Sequence, residues 1–101
     1  MIWSVAIRLE WWPDYNAGPL WGDGGREVDL AELGASAELV DQVRTWTSGY
    51  RDDRLPIDDQ GDEQWLQQGI QLLADVRQAL GVGYDVVVTE PWWGEQPIAE
   101  R

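Results

Sequence analysis

The chain contains no cysteine, histidine, lysine or phenylalanine, and its one asparagine is Asn16. Without cysteine there is no disulfide framework, no thiolate nucleophile and no soft metal site. Without histidine it lacks the side chain best suited to proton transfer near neutrality, which is also the commonest transition-metal ligand. Without lysine there is neither Schiff-base chemistry nor a phosphate-loop lysine. All seven cations are arginines, a pattern that reads as codon bias in a GC-rich genome. No run approaches the ~20 apolar residues that a membrane span needs. The opening MIWSVAIRLEWW has neither a basic leader nor a small-residue cleavage site, so it is not expected to act as a signal peptide, and the expected location is cytoplasmic.

What remains is acidic and rich in tryptophan. Nineteen acids against seven bases leave a net charge of −12 on 101 residues, 44% of them apolar and eight of them Trp. That length fits one compact domain over 1–101, with residues 94–101 expected as a frayed tail. The arginines are scattered among more than twice as many acids, which disfavours direct nucleic-acid binding and contact with an acidic membrane surface. Charge of this sign fits a basic protein partner, or solubility alone.

Hydropathy patterning predicts an α+β fold. Residues 1–12 alternate, with Trp3, Val5, Ile7, Leu9 and Trp11 on one face, the mark of a half-buried strand that Pro13 stops. A Gly/Pro/Asp-rich connection over 13–26 carries the turn signal GDGG, and residues 27–30 (EVDL) follow as a candidate edge strand. Ser36 is placed to cap a helix whose stripe is Leu39, Val43, Trp46 and Tyr50, ending near Arg51. A second helix runs from about Asp62 to Leu80 on the stripe Trp65, Gly69, Leu72, Leu73, Val76 and Leu80, stopped by Gly81. Glycine on that stripe costs roughly 1 kcal/mol against alanine, which close packing of a bulky side chain such as Trp46 would explain. A last strand covers 84–89. The order is β-(β)-α-α-β: a two- or three-stranded sheet packed on an antiparallel helix hairpin. Counting directions makes the first and last strands parallel, which sends both Trp doublets, Trp11-Trp12 and Trp92-Trp93, to the same end.

Two features are candidates for function. Alternation turns neighbouring side chains to opposite faces, so at least one Trp of each doublet is expected at the surface, near Tyr15 and Trp21. Trp12, Tyr15, Trp21, Trp92 and Trp93 are therefore candidate contacts for a protein partner, or a stacking platform for a sugar or rigid aromatic ligand. The opposing reading is that Trp21 folds back with its loop and caps the core. The second feature is the linker over 52–63, where Asp52, Asp53, Asp58, Asp59, Asp62 and Glu63 face a single arginine. Its IDDQGDEQW lacks the spacing of a calcium loop, so no metal is expected; a solvated loop, or a local field that steers a basic partner, is. Asp14 and Asp23 form the one carboxylate pair that suggests acid–base work, with no nucleophile–base set beside them. No catalytic residue and no cofactor is expected.

The string PLWGDGGREVDLAELGASAELVDQVRTW, followed by GIQLLADVRQALGVGYDV, resembles small hypothetical proteins of GC-rich actinobacteria over about 19–86. The shared outline is a P-L-W turn, a V-D-x-x-x-L step and an ALG before a closing strand. The resemblance implies a bacterial cytosolic protein with a helix pair and carries no activity. The reading that follows is a non-enzymatic acidic binding protein that neutralises or regulates a basic protein partner, in the manner of an immunity protein, antitoxin or nuclease inhibitor. A small-ligand or carbohydrate binder using the Trp cluster, or an accessory structural subunit, are the alternatives.

Overall fold

A computed structural model of the chain describes residues 6–15, 17–51, 54–55, 61–95 and 97. The alternating run settles as β1 (Ile7–Trp11), which buries Leu9 and Trp11. Ile7, expected on that buried face, opens the ladder opposite Tyr84 and is 57% exposed. Trp3 and Val5, expected beside it, lie outside the described residues. Beyond β1 the Trp12 N–H still donates to the Pro19 carbonyl at 2.9 Å, so the chain doubles back at once.

The returning chain is β2 (Leu20–Trp21), antiparallel to β1 with Trp11 opposite Leu20. The second strand therefore precedes the GDGG turn instead of following it over 27–30. Glu27 makes only an isolated bridge to Trp21, and the Val28 N–H donates to the Leu20 carbonyl at 2.9 Å. The reason lies in Asp29. Its carboxylate accepts the Ala31 N–H at 3.0 Å and draws Leu30–Leu33 into a 3₁₀ turn, which ends any extended run.

The helices follow their capping signals. α1 (Ala37–Ser48) starts where Ser36 Oγ accepts the Leu39 N–H, and it stops at Gly49, short of Arg51. α2 (Glu63–Leu80) starts where Asp62 accepts the Trp65 N–H, and it ends on Gly81 at φ +71°, a backbone region that favours glycine. β3 (Tyr84–Val88) then pairs with β1 in parallel, from Ile7 opposite Tyr84 to Trp11 opposite Val88. The sheet order β2-β1-β3 completes an α+β fold with β1 at the centre of a mixed sheet.

The core between sheet and helices is aromatic at its centre. Trp46 of α1 stacks on Trp65 of α2 with ring centroids 4.5 Å apart, and on Trp11 of β1 at 5.7 Å. The two indoles bond reciprocally to backbone: Trp46 Nε1–H donates to the Trp65 carbonyl at 2.9 Å, and Trp65 Nε1–H to the Trp46 carbonyl at 3.3 Å. Gly69 makes the approach possible. A Cβ there would overlap Trp46 Cζ2 and stand 3.0 Å from both Cε2 and Cη2.

Arg77, near the end of α2, ties that helix to β3 and to the segment beyond it. Its Nε and Nη2 donate to the Val86 carbonyl at 3.0 and 2.6 Å, and Nη1 and Nη2 each reach the Glu95 carboxylate at 2.7 Å. The hydrogen bonds from Arg77, reinforced by its charge and partly opposed by burial, hold the Glu95 carboxyl below the usual range; the same pairing raises Arg77.

Two outcomes are expected. Alanine at an ordinary helix position gains roughly 1 kcal/mol over glycine, but Gly69→Ala pushes against an indole that stacking and hydrogen bonds hold in place. Gly69→Ala is expected to lose a net stability of about 1–2 kcal/mol in urea unfolding; unchanged or higher stability would show that Trp46 can yield. For Glu95 the folded-state pKa lies below the unfolded one. Its contribution is thus complete above the unfolded value near 4.5 and is lost as pH falls through the folded value. Both side chains are more than a third exposed, so screening limits the pair to about 0.5–1 kcal/mol. The stability difference between wild type and Glu95→Gln is expected to be constant from neutrality down to about pH 5 and to shrink below pH 4.

Candidate partner-binding site

Because β1 and β3 run parallel, the segments that follow them leave the sheet at one end. Trp12 to Asp14 leaves β1, and Glu90 leads into the 3₁₀ turn Pro91–Trp93 after β3. Between them lies a cleft of about 250 Å³, its walls Trp12, Trp92, Trp93 and Tyr50, with Leu55 from the connection between the helices. Asp14 and Glu90 supply the carboxylates at this cleft.

Each doublet sends one ring into the core and leaves the other half-buried. Trp11 is fully buried. Trp12 is half-buried and stacks on Trp21, with centroids 4.2 Å apart and planes 10° from parallel. The Trp21 Nε1–H donates to the Trp12 carbonyl at 2.7 Å, so Trp21 does fold back with its loop. Gly18, at φ +83°, lets the loop close, since a Cβ there would meet the Trp12 carbonyl and Trp21 Nε1, both at 2.8 Å. In the second doublet Trp93 is 1% exposed and sits edge-on to Trp46 at 5.8 Å. Proposed from sequence as a partner contact, Trp93 is a core residue that backs the cleft. Trp92 is half-buried, and its Nε1 is buried with no acceptor among the described residues. Tyr15 is 55% exposed and meets the Tyr50 ring edge-on at 4.9 Å.

Of the acidic linker, Asp52, Asp53, Asp58 and Asp59 lie outside the described residues. Asp62 spends one oxygen capping α2 and holds the other 3.9 Å from Arg54 Nη1. Glu63 is exposed and accepts from Gln67. Leu55, from the same linker, lines the cleft, and Arg54 lies over the Trp65 ring, 5.9 Å from its centroid.

Sequence reasoning passed over Glu90. Its Oε2 accepts from Thr89 Oγ1 at 2.8 Å and its Oε1 from Trp93 Nε1 at 3.2 Å. Among the described residues no cation stands within ion-pair distance of it. The only signal was an acid two places before a Trp doublet, which means little until the fold sets it beside Trp12.

A larger groove of about 460 Å³ runs between β2 and α1, floored by Leu20, Leu30, Val40 and Val43. Its acids are engaged: Glu27 accepts the Gly18 N–H at 2.9 Å, and Asp29 caps its turn and lies 3.4 Å from Arg44. With no aromatic wall among the described residues, it has less to offer a partner than the smaller cleft. Among the described residues no three carboxylates are grouped to hold a metal, and no helix is long and apolar enough to cross a membrane.

A family model described as Serratia CdiI immunity protein-like matches residues 7–91, from the start of β1 to the residue before Trp92. The chain belongs to that family. No individual curated protein matches it. Its function is thus that of an immunity-like inhibitor, and what it binds is a partner protein, the toxin that such a protein holds in check. The match takes in Trp12, Asp14, Trp21, the acidic linker and Glu90, and leaves Trp92 and Trp93 beyond its end.

The split within the second doublet has a measurable consequence. Trp93→Ala opens a cavity against Trp46 and is expected to cost about 3–5 kcal/mol in urea unfolding. Trp92→Ala, at a half-buried ring whose N–H has no partner to lose among the described residues, is expected to cost under about 2 kcal/mol. A reversed order would mean that the turn presents the other ring to solvent.

Proposed function

We propose that the toxin partner is a basic protein, engaged at the aromatic cleft and drawn in by the acidic linker over 52–63. The chain performs no reaction of its own. It occludes the partner's working surface in the cytoplasm, and its charge of −12 speeds encounter. The observation that carries this reading is the joining of the half-buried Trp12 and Trp92 with the Glu90 carboxylate, which pairs with no cation among the described residues, at one end of an acidic immunity-like domain. Buried aromatic anchors ringed by charge are how tight protein interfaces are built. The carbohydrate reading is disfavoured by size, since the cleft's 250 Å³ falls below the roughly 300–1,000 Å³ of small-molecule sites.

The test has two stages. Immobilised protein is presented to native lysate at low salt and eluted with rising salt, and the captured protein is then assayed for growth inhibition with and without an equimolar amount of this chain. Capture of a basic protein whose toxicity the chain abolishes is the expected result. With that partner in hand, association is expected to slow as salt rises from about 0.05 to 0.5 M, because the Debye length shrinks from over 10 Å to a few ångströms. Asp58→Asn combined with Asp59→Asn should lower the association rate more than it raises the dissociation rate, and Trp12→Ala should do the reverse. Equal rate constants for all three proteins would remove the reading, as would an acidic partner.

A further inference from the structure

We infer that the cleft between Trp12 and Trp92 is a seat for one arginine side chain of the partner, with Glu90 receiving its guanidinium. This rests on the reading of the aromatic end as the partner surface and goes beyond it by naming the group received.

The argument begins with size. A space of about 250 Å³ is too small for a sugar chain or a nucleotide and suits one long side chain. Charge narrows the choice. Among the described residues Asp14 and Glu90 line the space, no arginine does, and no cation pairs with Glu90. A half-buried carboxylate with only neutral donors leaves a field that a cation would complete. The lining also favours a cation with a flat, apolar face, because it is made of the aromatic rings of Trp12, Tyr50 and Trp92 with Pro13 and Leu55. Such rings attract a cation through their negative faces.

Valence then separates arginine from lysine. Each Glu90 oxygen already accepts one hydrogen bond, Oε2 from Thr89 and Oε1 from Trp93. A carboxylate has about four acceptor sites, so among the described residues one remains open on each oxygen. One acceptor site left on each of two oxygens suits the two-pronged fork of a guanidinium better than the single point charge of an ammonium. The bonds from Thr89 and Trp93 also fix the carboxylate beforehand, so little ordering is left for the moment of binding.

The test uses the free protein and small probes. Indole N–H resonances are followed by NMR as N-acetyl-argininamide, N-acetyl-lysinamide or the neutral isostere N-acetyl-citrullinamide is added. The seat predicts saturable shifts at Trp12, Trp92 and Trp93 with the arginine probe. Binding should weaken about tenfold for the citrulline probe, the equivalent of one lost charge-assisted pair. The lysine probe should fall between the two. Glu90→Gln is expected to abolish the difference between the arginine and citrulline probes, while Asp75→Asn, on α2 and outside the cleft lining, should leave it unchanged. Equal behaviour of the arginine and citrulline probes on the wild type overturns the seat, as does equal behaviour of arginine and lysine, so a misfolded variant cannot obscure the answer. The inhibitor reading stands or falls on neutralisation of the captured toxin, and the two can fail separately.

Discussion

The fold depends on the contact between the Trp46 indole and the bare backbone of Gly69. In an α-helix the side chain one turn on stands over a residue's carbonyl, and the residue one turn after Trp65 is Gly69. Because that position has no Cβ, the Trp46 ring can lie against α2 and place its N–H 2.9 Å from the Trp65 carbonyl. The return bond from Trp65 ends on the Trp46 carbonyl, in the last turn of α1, which thereby takes a second donor beside the Gly49 N–H at 3.1 Å. A buried N–H without an acceptor costs about 1–3 kcal/mol, so two such bonds set how far one helix can slide along the other. The same ring also touches Trp11 of β1 and Trp93 beyond β3, so one side chain registers the sheet against the helix pair.

From that arrangement the outer half of the aromatic system inherits its rigidity. Trp11 and Trp93 are inner members of their doublets, clamped against Trp46, and each fixes the backbone of the ring that lines the cleft. Trp12 is further held by its stack on Trp21 and by the bond from Trp21 to its carbonyl. Walls that are already ordered before a partner arrives lose little conformational freedom on contact, which raises affinity without adding contact area. Core and site are therefore two faces of one tryptophan set.

Much of this was legible in the residues. The cap at Ser36, the start of the second helix near Asp62, the stop at Gly81 and the two helical stripes are local signals, and both helices obey them. Parallel pairing of β1 with β3 followed from counting directions, and the seat of Trp46 on Gly69 from a glycine that its stripe did not otherwise explain. The errors arose where a weak local signal met a stronger one. EVDL alternates, but Asp29 caps a 3₁₀ turn, and the pairing partner of β1 is the shorter Leu20–Trp21. Period two also cannot say which ring of Trp92-Trp93 turns inward, because a 3₁₀ turn places them. Glu90 was invisible for another reason: it stands more than seventy residues from Trp12, and only the β1–β3 register brings the two to one cleft.

The arginines, whatever biased the chain toward them, have a structural use. Among the described residues the arginines of the ion pairs are spent on the frame: Arg44 with Asp29 at the start of a turn, Arg54 with Asp62 at the start of α2, and Arg77 with Glu95 across β3. Guanidinium groups suit this work, since Arg77 grips a carbonyl and a carboxylate at once, which a lysine ammonium does less well. Neutralising acids at structural joints leaves the surplus elsewhere, at the cleft and along the linker between the helices. Surplus charge of one sign strains the fold by self-repulsion while it hastens encounter with a partner of the other sign. An inhibitor must reach its target before damage is done, and a domain pinned by a tryptophan core can carry that repulsion without losing its shape.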